Sequence, residues 1–343
     1  MMRLIRGLFL IGLGMFAVLR IGSFFYASYI GYPEPEPSTS VTIASGTTSE
    51  QAVDLLVKQK VVRSGLEFRV FLSTQKDWQV KAGTYELQPG TSYRLLMTTL
   101  ALGPQRRESQ VRLLEGWSVD DEADYLHKQK NIPLDQTARV IGKSVDRAPF
   151  DSALRSDFPF LKLLPKKRSL EGYLMPDTYR VWDDQLPEGL VQKQLKEFQD
   201  NFGDIDLTKL PAPLKTLDDV VILASIVEKE VRGEMDQKIV AGIFLSRLNI
   251  GMALQTDATL TYGLGNGHVR ATSEDLATDS PYNLYKHRDL PPSPICNPGA
   301  AAIRAVLNPT DTEYLYFLTD KEGRVLYGRT FDDHIRNRRT AGY

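Results

Sequence analysis

Two glutamates close an otherwise apolar segment, Ile222-Leu223-Ala224-Ser225-Ile226-Val227-Glu228-Lys229-Glu230. A carboxyl group set into an apolar surface loses its hydration, so it must be paired or held neutral. A carboxyl held neutral near neutral pH can donate a proton, which makes this stretch a candidate for general acid chemistry. Thr216 with Asp219 three residues on reads as a capping box and predicts the start of a helix. At about 100° per residue, Leu223, Val227 and Val231 fall on one face, with Val220 and Ala224 beside them. Ser225, Lys229 and Arg232 define the opposite, polar face. Glu230 follows Ile226 by four residues and Val227 by three, so it points into the apolar side. Glu228 sits at the polar boundary beside Ser225. The spacing therefore selects Glu230 as the buried acid. The competing reading makes both glutamates ordinary helix-end charges paired with Lys229 or Arg232.

The chain around this helix has 343 residues, 42% of them hydrophobic, enough for one or two domains with real cores. Its net charge of −1 lacks the basic surplus of a nucleic-acid protein, and no glycine-rich phosphate cradle is present. Cys296 is the single cysteine, so no disulfide can form within the chain, and a small buried hydrophobe is its expected role. His127, His268, His287 and His334 are scattered, so neither a metal site nor a cofactor is expected.

Gly7 to Tyr32 is apolar apart from Arg20 and long enough to cross a bilayer. Arg3 and Arg6 precede it and place the N-terminus in the cytoplasm by the positive-inside rule. An uncleaved anchor, residues 1–32, is the expectation; Ala27-Ser28-Tyr29 is a poor signal-peptidase site. Arg20 suits a span shifted toward one end, or a partner helix. Residues 33–40, Pro33 to Ser40, read as a stiff spacer. Residues 41–105 give the order strand, helix, helix, strand: Val41 to Ala44, Ser49 to Lys60, a helix opened by Ser64, and Gly83 to Leu87. A further helix follows over Tyr93 to Leu102. That order is the one found in small glycan-binding modules of LysM type. Residues 106–343 form the second domain. Ser109 to Leu114 reads as a strand, and Leu190 to Phe202 and Gln237 to Asn249 as helices. Tyr314 to Leu318 and Val325 to Tyr327 make a hairpin about a Lys321-Glu322-Gly323 turn. Residues 145–169 read as a variable surface region, and Trp78, Trp117 and Trp182 as core residues. The predicted class is α+β.

Short motifs now add up to a resemblance over nearly the whole chain. They are Lys81-Ala82-Gly83-Thr84-Tyr85, Leu114-Glu115-Gly116, Glu171-Gly172-Tyr173 with Pro176-Asp177-Thr178-Tyr179, and Ala224 to Glu230. Leu254-Gln255-Thr256-Asp257, Ser280-Pro281-Tyr282-Asn283, Leu290-Pro291-Pro292, Asn297-Pro298-Gly299, Tyr314-Leu315-Tyr316-Phe317 and His334 follow in order. Together they make the chain resemble the YceG-like (MltG-type) endolytic murein transglycosylases. It departs from that pattern at Leu284, where the family usually has Thr, and at Asp289, where it usually has Gly.

The resemblance implies a single-pass inner-membrane protein, most of it periplasmic, with a LysM-like subdomain and a mixed α+β catalytic domain. The implied activity is cleavage of the MurNAc-GlcNAc β-1,4 bond inside nascent peptidoglycan strands without water. The second glutamate of Glu228-Lys229-Glu230 is catalytic by that resemblance, the residue the helix wheel also selects. Peptidoglycan strands are the implied substrate, and peptidoglycan synthases (penicillin-binding proteins) the expected neighbours. Glu230 would protonate the glycosidic oxygen and then, as carboxylate, take the proton of the muramic acid 6-hydroxyl as a 1,6-anhydro ring closes. The acid step calls for a pKa raised toward about 6 by apolar burial.

Gln255, Asp257 and Thr259 are expected to line the cleft, with Tyr282 and Asn283 opposite; Asp257 in an Asx-turn and Gln255 capping a loop is the plainer alternative. Glu171 is a second candidate acid, or a carboxylate holding backbone in a tight loop. Tyr173 and Tyr179 either stack on sugar rings or fill the core. His334 is read as a donor behind the site or as a core histidine. Two rival functions remain: a peptidoglycan hydrolase (muramidase) with Asp257 or Glu234 as second carboxylate, and a tethered glycan-binding scaffold without activity.

Overall fold

A computed structural model describes residues 2–342 other than 33–36, 76–77, 105–106, 266–267 and 269, and of residues 2–9 the backbone alone. Pro33 to Glu36 of the expected spacer therefore lie outside the described residues. The chain is mixed α+β and divides into two compact units, Met1–Arg106 and Arg107–Tyr343.

The first unit contains α1 (Met2–Tyr29), β1 (Thr39–Ile43), α2 (Ser49–Lys58), α3 (Gly65–Ser73), β2 (Gly83–Leu87) and α4 (Tyr93–Leu102). β1 and β2 pair antiparallel with Val41 opposite Tyr85. A Thr48–Gln51 capping box starts α2, and the Ser64 hydroxyl accepts the Glu67 N–H to start α3. Leu56, Phe68, Phe71, Leu96 and Leu100 close a core over the strand faces. Helix α1 has two regimes. The apolar side chains from Leu10 to Leu19 are exposed, and Leu10–Tyr29 is long and apolar enough to be a candidate membrane span. Phe24, Ala27 and Ser28 instead pack into the unit. Arg20 stands where the regimes meet and donates to Glu67 at 2.8 Å.

The second unit opens with β3 (Glu108–Arg112), α5 (Val119–Lys130), α6 (Leu134–Ile141), α7 (Leu154–Asp157), β4 (Thr178–Trp182) and α8 (Glu188–Phe202). It continues with α9 (Leu217–Glu230), α10 (Glu234–Asn249), α11 (Asp257–Leu264), α12 (Ser273–Ala277) and α13 (Ala300–Leu307). The hairpin β5 (Tyr316–Thr319) and β6 (Val325–Gly328) leads into α14 (Phe331–Thr340). β3 pairs antiparallel with β4, Val111 facing Tyr179, and β5 with β6, Phe317 facing Tyr327. Asp320 holds the hairpin turn by accepting the Glu322 and Arg324 N–H groups.

α9 is the axis of this unit. Leu217 and every residue from Val220 to Val227 are buried, and α10, α11 and α13 pack around it. Truncating a side chain as enclosed as Leu223 costs roughly 2–5 kcal/mol. The enclosure corrects the helix wheel. Ser225, assigned to a polar face, is fully buried and is satisfied inside the protein: its hydroxyl donates to the Ile222 carbonyl at 2.7 Å and accepts the Ile295 N–H at 3.0 Å. Two further expectations fail for a related reason. Residues 145–169 are not a surface excursion, because Phe150, Leu154, Phe158, Phe160, Leu161 and Leu164 drop from short irregular turns into the main core. Trp182 is exposed, because its place on β4 alternates outward.

Candidate active site

The sequence stops α9 at a defined place. The Asp219 N–H donates to the Thr216 hydroxyl at 3.0 Å and the Thr216 N–H to the Asp219 carboxylate at 2.9 Å, fixing the helix start. After Glu230 the backbone goes extended at Val231, and Gly233 takes φ +92°, a left-handed conformation costly for other residues, to turn the chain into α10. Glu230 thus occupies the last turn, where the partial negative charge of free helix carbonyls disfavours a carboxylate. Its side chain is half-buried, and no hydrogen bond or ion pair engages the carboxyl among the described residues. Burial raises its pKa to about 7; the charge of Asp257 pushes the same way and that of Arg247 opposes it.

Two cavities meet at this carboxyl. One, of about 730 Å³, is bounded by Glu230, Arg247, Gln255, Asp257 and Tyr285, with Tyr316 and His334 beyond. The other, of about 510 Å³, lies among Glu115, Trp117, Glu228, Arg232 and Val325. Lys229, Glu230 and Thr319 border both. A larger cavity of about 940 Å³, beside α8, is an open surface where Glu188 and Glu197 mingle with Lys193 and Lys196. It encloses no partnerless buried acid, so it lacks what the Glu230 cleft has.

Glu228 faces only the smaller cavity and accepts the Gly299 N–H at 3.1 Å. Its pKa is raised by burial and the nearby Glu115 charge, against that hydrogen bond. Of the residues expected to line the cleft, Gln255 and Asp257 do so. Gln255 holds φ 56° with its N–H donated to the Leu284 carbonyl at 3.1 Å. A non-glycine residue in that region stores about 1 kcal/mol of strain. Asp257 accepts the Tyr285 hydroxyl at 2.7 Å.

Thr259, Tyr282 and Asn283 do not line the cleft. α11 begins at Asp257, so Thr259, two residues on, is turned about 200° away into the core, where it bonds Thr256. Tyr282 is buried with its hydroxyl 2.6 Å from that of Ser293. The Asn283 amide donates to the Leu276 and Thr278 carbonyls and accepts the Tyr285 N–H, so it positions Tyr285 rather than touching the cavity.

Glu171 is also outside the cleft. It is fully buried and accepts the Val119 N–H at 3.0 Å, the Ser144 hydroxyl at 3.2 Å and the Tyr262 hydroxyl at 2.9 Å. Burial raises its pKa to about 8 despite these donors. Next to it Gly172 sits at φ +89°, where a Cβ would meet Val221 and Pro294 at 2.6 Å. The Asn297 side chain accepts the Gly172 and Leu174 N–H groups, and its backbone bonds Gly116 and Trp117. The Leu114, Glu171 and Asn297 motifs are therefore one stitched junction behind α9. Tyr173 and Tyr179 are core tyrosines, bonded to Asp218 and the Met175 carbonyl. Glu234, the other carboxylate considered as a second acid, is exposed and pairs with Lys238 at 3.0 Å. Cys296 is buried, its thiol donating to the Ser225 carbonyl, and burial pushes its pKa up. Among the described residues no three His, Cys, Asp or Glu side chains gather as a metal ion would need.

Arg247 and Tyr285 went unnoticed in the sequence. Arg247 follows Val240 by seven residues and Phe244 by three, a cation on the apolar stripe of α10, the same signal that exposed Glu230. It is buried, donating Nε to the Leu315 carbonyl and Nη1 to that of Leu254. Tyr285 carries no such signal; only the fold brings it to Asp257.

Comparison with known proteins gives a consistent result. The model of the YceG-like family matches residues 41–340. A Bacillus subtilis protein named endolytic murein transglycosylase is 29% identical over 331 residues, spanning 91% of this chain and 88% of that protein. A Streptococcus pneumoniae protein of the same name is 32% identical over 87% of this chain, which covers 57% of that longer protein. A crystal structure of a yceG-like protein from Listeria monocytogenes superposes with a TM-score of 0.57 at 29% identity, over 89% of this chain and all of that one.

Proposed function

The chain belongs to the YceG-like family, and from that premise we propose that it is a lytic transglycosylase that cuts peptidoglycan strands at internal MurNAc-GlcNAc bonds. The observation that carries this reading is a partnerless, half-buried carboxyl, Glu230, where two cavities meet. A strand lying through both would present a glycosidic bond to Glu230 with sugars on either side, as an internal cut requires. At a pKa of about 7 the carboxyl is substantially protonated at neutral pH and can give its proton to the glycosidic oxygen. The C1–O bond breaks as that O–H bond forms. The carboxylate then accepts the proton of the muramic acid 6-hydroxyl as its oxygen bonds C1. One fragment leaves with a free 4-hydroxyl, the other with a 1,6-anhydro end, and Glu230 is again protonated. Asp257, held by Tyr285, favours the protonated start; buried Arg247 favours the charged intermediate state.

In this reading α1 is an inner-membrane anchor with the N-terminus cytoplasmic and the bulk of the chain periplasmic. The Arg20–Glu67 pair answers the one charge inside the apolar segment, and Phe24, Ala27 and Ser28 pack against the rest of the first unit. Residues 41–105 serve as a LysM-like aid to glycan binding, and polymerising synthases are the neighbours that supply nascent strands.

The test is product analysis. The protein in detergent, given uncrosslinked strands, releases muramic ends one water lighter than reducing ends, and Glu230→Gln releases them about a thousandfold more slowly. Reducing ends would instead make the protein a hydrolase with Asp257 as the second carboxylate. Undiminished cleavage by Glu230→Gln would end the mechanism.

A further inference from the structure

The larger cavity at Glu230 has a wall, built by α14, that the cutting chemistry does not use. Phe331, His334 and Arg338 are spaced three and four residues apart on α14, so one stripe of that helix faces the cavity. His334 lies 5.7 Å from the Tyr316 ring and 6.2 Å from Phe331, centroid to centroid, which makes an aromatic shelf. The Arg247 guanidinium sits 5.4 Å from the centre of Tyr316. Arg247 thus borders the shelf at Tyr316, and Arg338 follows His334 by one turn of α14.

Charge around this cavity is unbalanced. Lys229, Arg247 and Arg338 border it, against Glu230 and Asp257. Among the described residues Arg338 is exposed and has neither hydrogen bond nor ion pair, and Nη2 of the buried Arg247 is likewise without an acceptor. Arg336, on another face of α14, is by contrast paired with Asp333. Burial lowers the pKa of His334, and Arg338 and Arg247 add to the effect, so the ring stays neutral and the two arginines remain the cations of the shelf. A plainer use for Arg338 is to complement the C-terminal end of α14, but Arg339 serves that end without facing the cavity.

An N-acetylated glycan backbone carries no charge that could answer these arginines. The anions of a peptidoglycan strand lie on the lactyl arm of muramic acid. We propose that the Arg247–Arg338 shelf binds a carboxylate carried on that arm, supplied by the peptide stem, so that the enzyme selects strands that still bear peptides. Guanidinium groups match carboxylates by paired N–H donors, and flat side chains beneath suit an extended peptide. The identity of the ligand rests on the transglycosylase reading; the anion preference rests on the cavity alone.

Binding in a background that cannot cut separates the two. Fluorescent uncrosslinked strands, either peptide-bearing or stripped by an amidase, are titrated with Glu230→Gln and with Glu230→Gln combined with changes at Arg338. Arg338→Ala is expected to weaken binding of peptide-bearing strands about tenfold and of stripped strands less than about twofold, with the difference shrinking as salt rises. Arg338→Lys is expected to keep most of the affinity. Because Arg338 is exposed and unbonded, these variants fold normally. Equal weakening on both strands would overturn the peptide assignment in favour of the lactyl carboxylate itself. No weakening on either would overturn the anion shelf altogether. Failure of the wild type to cut strands in the product assay would overturn only the catalytic reading.

Discussion

Glu171 and Glu230 are both carboxyls withdrawn from water, one in the loop junction behind α9 and one at the end of that helix. Burial raises the first to about 8 and the second to about 7. By titration alone Glu171 is the more perturbed group. It is also completely satisfied, with three donors on its two oxygens and no surface. Among the described residues Glu230 has no donor, and it opens on two cavities. A shifted pKa therefore marks burial, whereas a shifted pKa with a vacant hydrogen-bonding position marks a place for a substrate. The junction spends its polar groups on holding loops, and the helix end keeps one in reserve.

The contrast is sharpest in paired substitutions. Glu230→Gln is expected to lower turnover of uncrosslinked strands by about a thousandfold while leaving the thermal midpoint nearly unchanged. Glu171→Ala is expected to do the reverse. It strands the Val119 N–H and the Ser144 and Tyr262 hydroxyls in the core, and denaturant titration should register a loss of about 3 kcal/mol. If Glu171→Ala were as stable as wild type but inactive, the two regions would have to exchange roles.

Proton linkage gives a finer separation. The folded pKa of Glu171 lies above that of an unfolded glutamate, so its contribution is full below the unfolded value near 4.5 and is lost as pH rises through about 8. Stability of the wild type should fall over that interval, and Glu171→Gln should flatten the curve. For Glu230 the readout is the rate: cleavage should decline as pH rises through about 7. Asp257→Asn removes a charge that favours the protonated form, so the declining limb should move to lower pH. The smallest expected effect is that of Tyr285→Phe, which removes the donor to Asp257 and should lower the rate about threefold with little change in stability. A Tyr285→Phe loss as large as that of Glu230→Gln would mean the hydroxyl itself takes part in proton transfer.

Much of this was legible from residue order because it depends on near neighbours. The Thr216–Asp219 box, the helix over α9 and the Tyr316–Gly328 hairpin are settled within a few residues, and periodicity reads them. Glu230 was found because a charge on an apolar stripe is visible in one dimension, and Arg247 carried the same mark. The wheel failed at Ser225 because it assumes one wet face, and α9 has none. Thr259 was misplaced because polar density alone does not say which residues face the cleft once a helix begins at Asp257.

Sequence by itself determined the elements, the apolar N-terminal segment and the carboxyl that burial would perturb, since each follows from local spacing and transfer free energy. Only tertiary structure decided which polar groups are already spent. Glu171 looks as available on paper as Asp257 and Gln255, yet its donors Val119, Ser144 and Tyr262 lie 27 to 91 residues away. Hydrogen bonds between distant segments depend on how the chain closes on itself, and no local pattern encodes that closure.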